Sequence, residues 1–292
     1  MAFNLATFKT RALTAVIFVM VMLTGLLWNY WSFLVLFIII HFGCWWEYIK
    51  LAEKIYSTKI NNVIKWFFAI CGFTLMLVIG LNNTWVDFSV SLFSFKISLK
   101  LLTWILEMVC LFIFITQNKQ IPAKAKQMCF AGFIYISLSW GLMINLYSKY
   151  DSQSSFIKIP GYIIPMIIIA SIWVNDTMAY LVGSFIGKTP LSKISPKKTW
   201  EGTIGGVVLA IFTVSFLAKW VFGSSLLQSG IIAAIASIFG AIGDLLESKL
   251  KRMAGVKDSG SLMPGHGGFL DRFDSLLLAV PFVWLYVTLV ME

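Results

Sequence analysis

Charged residues are scarce in this chain of 292 residues, and their scarcity is the first guide to its class. Asp, Glu, Lys and Arg make up only 12% of the sequence, whereas soluble globular domains carry about 25%. Hydrophobic residues make up 59%, and the mean hydropathy is +0.86. The apolar residues come in runs of about 20, long enough to cross a bilayer as helices. The composition therefore predicts an all-α polytopic membrane protein.

Other features that the sequence lacks argue against further classes of protein and of binding site. The sequence lacks the alternating ten-residue strands of an outer-membrane barrel. Its 4 cysteines lie in or beside apolar runs without CxxC or Cys/His spacing, so they are expected to be packing residues. There is no Walker A sequence, which argues against a P-loop ATPase. No internal repeat or separate soluble segment is visible, so residues 1–292 are interpreted as one membrane domain.

The apolar runs predict about nine transmembrane helices, with boundaries good to a few residues. The predicted spans are residues 12–28, 31–49, 63–81, 97–116, 128–147, 160–183, 203–222, 227–246 and 273–291. Lys9 and Arg11 precede the first run, but no small-residue cleavage site follows it. We therefore expect an uncleaved first helix.

Basic residues are more plentiful than acidic ones, and their placement predicts the orientation. The chain has 23 Lys and Arg against 13 Asp and Glu, a formal net charge of +10. Of the 23, 18 fall in the N-terminus and in the alternate loops 47–65, 117–127, 184–201 and 247–274. Because basic loops stay in the cytoplasm, we expect a cytoplasmic N-terminus and an outside C-terminus. This topology and anionic lipid explain the charge, so no nucleic-acid partner is expected.

The C-terminal half concentrates the carboxylates. Asp176 lies in NDTMAYLVG at the end of the sixth predicted span, where a charge is costly unless it is paired or functional. Asp244, Glu247 and Lys251 share one face of a helix. Two acids followed by a base suit a divalent cation with a phosphate beside it. Because the ligands would be carboxylate oxygens, a hard cation such as Mg²⁺ is favoured over zinc.

The loop GKTPLSKISPKKTWEG, residues 187–202, combines four lysines with two prolines. Pro190 and Pro196 prevent a continuous helix. Thr199 is placed to cap the following helix, whose free N–H groups would add to an anion site. The alternative is a loop that is basic only for topology. That alternative explains the charge but not the order Ser-Pro-Lys-Lys-Thr-Trp-Glu-Gly.

The segment PGHGGFLDRFD, residues 264–274, is rich in glycine and charge. Its glycines let the backbone approach a ligand closely. Asp271 and Asp274 are three residues apart at the start of the last span, with Arg272 between them. His266 is either a hydrogen-bonding strut or a phosphate contact. These features are typical of a site for a metal–polyphosphate complex at the membrane face.

Together these segments resemble the phosphatidate cytidylyltransferase family, also called CDP-diglyceride synthases. The family signature is a Ser, a Lys-Arg pair, a Lys-Asp pair, Pro-x-His-Gly-Gly and Asp-Arg-x-Asp. Here its parts are Ser248, Lys251–Arg252, Lys257–Asp258, Pro264, His266–Gly267–Gly268 and Asp271–Arg272–Phe273–Asp274. Asp176–Thr177 and the stretch 195–202 also resemble family segments. The resemblance covers roughly residues 160–280.

The resemblance implies transfer of a cytidylyl group from CTP to phosphatidic acid, giving CDP-diacylglycerol and pyrophosphate in phospholipid biosynthesis. It implies a homodimer and Mg²⁺, with or without a monovalent cation such as K⁺. We expect a bacterial inner-membrane protein with its active site facing the cytoplasm. Residues 160–292 would form the catalytic region. Residues 1–150 would have a structural or dimerisation role.

The resemblance also implies roles for individual residues. Asp244 and Asp271 would hold the metal. Lys197, Lys198 and Arg272 are expected to hold phosphates, and the Lys251–Arg252 pair to attract the lipid headgroup. The further substrate contacts expected are Ser195, Thr199, Lys257, His266, Gly267 and Gly268. The carboxylates expected to support the metal ligands are Asp176, Glu247, Asp258 and Asp274.

Two alternatives stay open at this point. A related enzyme could use another lipid phosphate, such as an archaeal ether lipid, because the acyl-binding surface is apolar and carries no readable signature. In a different class, an ion-coupled transporter could use Asp176, Glu107 and Asp244. Transporters often have repeated halves, which this sequence lacks. Glu107 alone is either functional or a paired structural residue.

Overall fold

The computed structural model describes residues 5–81, 89–92, 95–98, 103–105, 107–109, 114, 121–151, 160–261 and 267–291. The elements in chain order are α1 (Leu5–Leu27), α2 (Tyr30–Ile55), α3 (Asn62–Gly80), β1 (Ser89–Leu92), β2 (Phe95–Ser98), α4 (Ala123–Gly132), a π-helical segment (Phe133–Leu138), α5 (Ser139–Asp151), α6 (Ile163–Ile186), α7 (Trp200–Phe222), α8 (Leu226–Met253) and α9 (Leu270–Val290).

Seven helices among the described residues are long and apolar enough to cross a membrane. They are α2, α3, the helix that runs from α4 through α5, and α6 to α9. The predicted all-α polytopic class is confirmed. The predicted span 12–28 is helical within α1, but its apolar stretch Leu13–Leu27 is shorter than the others. Most of the predicted span 97–116 lies outside the described residues, so the count of about nine stays a prediction.

Several helices extend beyond the predicted spans at their polar ends, and three of them bear on the site. α2 continues to Ile55, α8 continues to Met253, and α9 begins at Leu270. The spans were predicted from apolar composition alone, whereas helical hydrogen bonds continue into the polar residues that follow. As a result, Glu247 and Lys251 lie on α8 with Asp244, as their predicted common face requires.

A small hairpin was not predicted. β1 and β2 pair in antiparallel register, with Ser89 opposite Ser98. Ile97 and Ser98 therefore belong to a strand, and the predicted span 97–116 does not begin as a helix. The alternation of apolar and polar residues in FKIS, residues 95–98, is typical of a strand. The span 97–116 was predicted from its mean hydropathy alone, which does not distinguish a strand from a helix.

Helices α6 to α9 pack together as one bundle. Small residues allow the close approach of α6 and α7, a common device between membrane helices. A Cβ added at Gly206 would lie 2.8 Å from the Asn175 carbonyl oxygen and 2.8 Å from the Ala179 Cβ. α8 and α9 are equally close at Gly243, where a Cβ would lie 2.6 Å from the Asp274 carbonyl oxygen. These contacts bring the polar ends of the helices together.

The preceding helices contribute a core of large aromatic residues. Trp45 and Trp140 are fully buried, and the Trp45 indole N–H donates a 2.9 Å hydrogen bond to Ser137 in the π-helical segment. Glu107 accepts a hydrogen bond from the Thr74 hydroxyl. That contact agrees with the paired, structural interpretation of Glu107.

Several chain segments meet at one end of the bundle. Lys198, just before α7, contacts Asp244 on α8. Glu47, in the later part of α2, contacts the start of α9 at Leu270. The loops 184–201 and 247–274 therefore lie at the same end, as the basic-residue pattern predicts. Which side of a membrane that end faces stays a prediction.

Candidate active site

The lysine-rich loop between α6 and α7 is held in shape by Glu201. This carboxylate, in the first turn of α7, accepts hydrogen bonds from the backbone N–H groups of Lys188 and Thr189 at 3.2 Å. It also accepts one from the Thr189 hydroxyl at 2.8 Å. The Trp200 N–H donates to the Thr189 carbonyl at 2.9 Å. A loop that served only as a topology signal would not need these hydrogen bonds.

Thr199 is the N-cap of α7, as predicted. Its hydroxyl oxygen accepts a 3.1 Å hydrogen bond from the Gly202 N–H. A Cβ on Gly187 would lie 2.6 Å from the same hydroxyl, and a Cβ on Gly202 would lie 2.9 Å from it. The glycines therefore let the loop return tightly onto the end of α6, next to the N-terminus of α7.

A cavity of about 540 Å³ lies between α6, this loop and α8. Its lining includes residues predicted for the site, namely Asp176, Ser195, Lys197, Lys198, Thr199 and Asp244. Lys198 and Asp244 form an ion pair in which the two side chains are 32% and 27% exposed. The other oxygen of Asp244 accepts a 3.2 Å hydrogen bond from the Ser248 hydroxyl. An anionic ligand entering the cavity would meet an accessible lysine.

A second group of charges lies further along α8. Glu247 is fully buried and pairs with Lys251, four residues later. The Lys251 Nζ also lies 2.6 Å from the Asp271 Oδ1. One ammonium group therefore bridges two carboxylates and joins α8 to the first turn of α9.

Asp271 accepts further hydrogen bonds from two turns of the chain. Its Oδ2 accepts from the Ser259 N–H at 2.9 Å, the Ser259 hydroxyl at 2.9 Å and the Gly268 N–H at 2.7 Å. Gly267 has a φ of +82°, and a Cβ there would lie 2.5 Å from the Asp271 Oδ2. Glycine is needed at this position for both its backbone conformation and its close approach to the carboxylate.

Asp274 lies beside the part of α8 that carries Asp244. It is buried at 8% exposure in the first turns of α9. A Cβ on Gly243, the residue before Asp244, would lie 2.6 Å from the Asp274 carbonyl oxygen. Asp244 and Lys251 both lie on α8, and Lys251 contacts Asp271, so the cavity and the second group of charges follow each other along α8.

The family model of the cytidylyltransferase family matches residues 9–290. The chain belongs to the cytidylyltransferase family. The match confirms the resemblance at residues 160–280 and extends it to the helices that precede residue 160.

Individual relatives match shorter stretches of this cytidylyltransferase chain. It is 48% identical to phosphatidate cytidylyltransferase 4, chloroplastic, of Arabidopsis thaliana, over 40% of this chain and 30% of the relative. The phosphatidate cytidylyltransferase of Synechocystis is 40% identical over 45% of each chain. That of Bacillus subtilis is 45% identical over 40% of this chain and 45% of the relative. The chain thus spans less than half the length of these curated relatives.

Some residues of the family signature lie at the edge of the site. The exposed charged residues among them are Arg252, Lys257, Asp258 and Arg272. They do not line the cavity described above. Arg252 donates a 3.3 Å hydrogen bond to the Val256 carbonyl. Pro264 and His266 lie outside the described residues.

The acids of the candidate site present carboxylate oxygens, which are the ligands that a hard cation prefers. Within the described parts of the chain, no three Asp, Glu, His or Cys side chains form a ready metal-binding group. Mg²⁺ needs no such cage, because one or two carboxylates and substrate phosphates hold it. Asp244 and Asp271 each have a lysine on one carboxylate oxygen. A cation there would replace one positive partner by another, so the residues fit Mg²⁺.

Glu47 on α2 is a site residue that the sequence reasoning missed. It is buried at 7% exposure. Its Oε1 accepts from the Phe269 N–H at 3.0 Å, and its Oε2 accepts from the Leu270 N–H at 2.9 Å and the Ser259 hydroxyl at 2.7 Å. The available signal was a lone carboxylate within the aromatic stretch CWWEY, residues 44–48.

Proposed function

We propose that this protein transfers a cytidylyl group from CTP to phosphatidic acid, forming CDP-diacylglycerol and pyrophosphate. Family membership supports nucleotidyl transfer, and the relatives named above are phosphatidate cytidylyltransferases. The observation that carries the proposal is the cavity in which Lys197 and the Lys198–Asp244 pair lie at the polar end of a membrane helix bundle. A soluble anion and a lipid anion can meet there.

In the proposed reaction, a phosphate oxygen of phosphatidic acid attacks the α-phosphorus of CTP in line. A P–O bond forms to the lipid phosphate while the bond from the α-phosphorus to the bridging oxygen of the β-phosphate breaks. Pyrophosphate leaves with the electron pair. The attacking phosphate is already an anion at neutral pH, so no strong base is needed. Positioning and charge neutralisation are the main tasks of the protein.

The cavity residues supply those tasks for CTP. Lys197 and Lys198 neutralise triphosphate oxygens, and the hydroxyl of Ser195 donates to them. Thr199 ends the loop at the N-terminus of α7, where free backbone N–H groups favour an anion. Because Lys198 also pairs with Asp244, an incoming phosphate competes with a carboxylate for the same ammonium group.

Asp244 and Asp271 are the residues that would hold Mg²⁺, with or without a monovalent cation such as K⁺. When bound, Mg²⁺ supplies positive charge to the phosphates during bond exchange. Glu247 and Asp274 are the buried carboxylates next to these two residues, and Asp176 borders the same cavity as Asp244.

The lipid acceptor would approach from the membrane side of the same end. Within the Lys251–Arg252 pair, Arg252 is exposed, whereas Lys251 bridges Glu247 and Asp271. Arg252, together with Lys257 and Arg272, is therefore the group suited to attract the headgroup. We place this end at the cytoplasmic face of a bacterial inner membrane, where CTP is available. A homodimer is part of the same proposal.

Two positions of label in CTP test the reaction. Purified protein in mixed micelles receives phosphatidic acid, Mg²⁺ and CTP labelled at either the α- or the γ-phosphorus. We expect the α label to enter the lipid phase and the γ label to leave as pyrophosphate. Chelator should abolish the transfer, Mg²⁺ should restore it, and zinc alone should not. Full turnover in excess chelator would reject the metal-dependent part of the proposal.

The acceptor is tested in the same assay by replacing phosphatidic acid with a dialkyl ether lipid phosphate. We expect the diacyl acceptor to be used. A labelled product formed only from the ether lipid would change the acceptor class and keep the reaction. Absence of lipid-borne label with both acceptors, in protein that is folded and membrane-inserted, would contradict the proposed function.

A further inference from the structure

We propose that Glu47, on the second helix, is a positioning residue that holds the backbone turns around Asp271 in the shape a cation and phosphate require. Glu47 lies far from the family signature in sequence. Its carboxylate nevertheless contacts both turns that supply donors to Asp271, at Ser259 and next to Gly268. The kinetic consequence rests on the proposed function, whereas the positioning of the turns can be measured without it.

Glu47 acts first as an N-terminal cap supplied by another helix. The first N–H groups of a helix have no intrahelical acceptor. α9 begins at Leu270, and Phe269, the residue before it, forms no side-chain cap. Glu47 accepts hydrogen bonds from the N–H groups of both Phe269 and Leu270. Its negative charge also interacts favourably with the positive end of the α9 dipole.

Glu47 is linked to Asp271 through the Ser259 hydroxyl. The Ser259 Oγ lies 2.7 Å from the Glu47 Oε2 and 2.9 Å from the Asp271 Oδ2. A serine hydroxyl has one hydrogen, so it donates to one of these carboxylates at a time. Glu47 therefore offers the hydroxyl a second acceptor, while the Asp271 Oδ2 keeps its backbone donors from Ser259 and Gly268. The shared hydroxyl holds the two carboxylates in a fixed relation to each other.

The surrounding packing leaves little freedom in this arrangement. A Cβ on Gly260 or on Gly268 would overlap the Glu47 carboxylate. One helical turn earlier on α2, a Cβ on Gly43 would overlap the Phe269 ring. Gly43 and Glu47 thus form one face of α2 against which both turns pack closely. Small residues on each side allow the carboxylate to reach backbone N–H groups directly.

Both oxygens of Glu47 accept hydrogen bonds, and this requirement suggests the informative substitution. Glu47→Gln keeps the size of the side chain but turns one acceptor into an NH₂ donor. That NH₂ group would face a backbone N–H of Phe269 or Leu270, so one of these bonds must be lost. The matched control is Glu53→Gln on the same helix. Glu53 accepts from the Ile60 N–H and from Lys65, both at 2.7 Å, and these partners lie outside the site.

The first measurement is amide hydrogen exchange on metal-free protein in detergent. We expect peptides within residues 267–272 to exchange faster in Glu47→Gln than in wild type, because backbone hydrogen bonds of that turn are lost. The same peptides should be unchanged in Glu53→Gln. This readout needs neither activity nor metal.

The second measurement is the Mg²⁺ concentration for half-maximal cytidylyl transfer. We expect Glu47→Gln to raise it roughly 10-fold, the lower end of what loss of a partner behind a metal ligand costs. A merely structural defect would lower the fraction of active protein and leave this concentration unchanged. Ser259→Ala removes the hydroxyl link while keeping both backbone bonds to Glu47. Ser259→Ala should raise the Mg²⁺ concentration for half-maximal transfer by a smaller factor than Glu47→Gln does. The double variant should need little more Mg²⁺ than Glu47→Gln alone, because both changes act on the same link.

The outcomes separate the two proposals. If wild-type protein makes no cytidylylated lipid, the proposed function is wrong and hydrogen exchange alone decides the role of Glu47. Wild-type exchange within residues 267–272 of Glu47→Gln would overturn the positioning role, as would an unchanged Mg²⁺ requirement in an active enzyme. If Glu47→Gln does not fold, Ser259→Ala decides by its Mg²⁺ requirement, and a wild-type value would overturn the inference.

Discussion

Lysine side chains neutralise the carboxylates of the candidate site. Lys198 pairs with Asp244, and Lys251 lies between Glu247 and Asp271. Lys251 and its two partners are largely buried, and removing one partner of a buried ion pair typically costs about 3–5 kcal/mol, because it leaves an uncompensated charge. The Lys198–Asp244 pair is partly exposed, so its contribution to stability is smaller, about 0–1 kcal/mol. In the proposed reaction, Lys198 also contacts the triphosphate. Asp244 and the substrate therefore compete for the same ammonium group.

Asp271→Asn tests whether this carboxylate does more than organise a helix start. Asn can keep one oxygen toward the Ser259 and Gly268 N–H groups while its NH₂ group faces Lys251, so a structural role would lower the thermal stability together with the activity. Loss of a metal ligand removes charge stabilisation of the transition state. We expect a folded, membrane-inserted variant with cytidylyl transfer lower by roughly 100-fold or more. The same loss is expected for Asp244→Asn.

Expression, membrane insertion and thermal unfolding are measured beside the rate for these variants. An Asp271→Asn protein that unfolds like wild type and keeps half of its activity would reject the metal role. Asp271 would then be assigned to the turn around Ser259 and Gly268 alone.

The lysine-rich loop offers an internal comparison of like charges. Lys197 and Lys198 line the cavity, whereas Lys193, exposed in the same loop, does not. We expect Lys197→Ala and Lys198→Ala each to raise the KM for CTP at least several-fold, because a phosphate contact is lost. Lys193→Ala changes the loop charge equally and should leave the KM within about two-fold, as surface substitutions usually do. An equal change of the KM for CTP in all three variants would contradict the phosphate contacts and leave the loop with a role in topology only.

At the scale of elements, features set by local geometry were predictable. The cap at Thr199 and the common face of Glu247 and Lys251 depend on residues within one or two turns, and both were confirmed. The contact of Glu47 with Ser259 joins residues 212 positions apart. A periodic pattern holds no information on which helix ends meet, so this part of the site emerged only from the fold.

Helix packing between α6 and α7 can be tested with a glycine pair. A Cβ at Gly206 would meet the Asn175 carbonyl and Ala179 at 2.8 Å, whereas the nearest atom at Gly230 is 3.8 Å away. Alanine is intrinsically better than glycine in a helix by about 0.5–1 kcal/mol. We expect Gly230→Ala to be neutral or stabilising. Gly206→Ala should destabilise by about 1–3 kcal/mol through overpacking.

Thermal unfolding in detergent, followed by tryptophan fluorescence, compares these two glycine variants. A Gly206→Ala midpoint equal to or above that of Gly230→Ala would show that α6 and α7 separate more easily than their close contact indicates.

At the scale of the whole molecule, the charged residues of the candidate site lie at one end of the helix bundle. Lys198, Asp244 and Asp271 come from three different parts of the chain. Buried aromatic side chains such as Trp45 and Trp140 fill the interior among the helices that precede α6. Charged residues are costly within the hydrocarbon, so their position at helix ends is compatible with the seven long apolar helices found among the described residues.

The orientation of that end decides whether the proposed reaction can occur in a cell. Of the 23 basic residues, 18 lie on the side predicted to be cytoplasmic. We expect reporter fusions after residues 55, 120 and 192 to report the cytoplasm. A fusion after Ser225, in the short connection between α7 and α8, should report the opposite side and serves as the control. An outside signal at residue 192 would separate the lysine-rich loop from cytoplasmic CTP, and the proposed substrate could not reach the Lys198–Asp244 cavity.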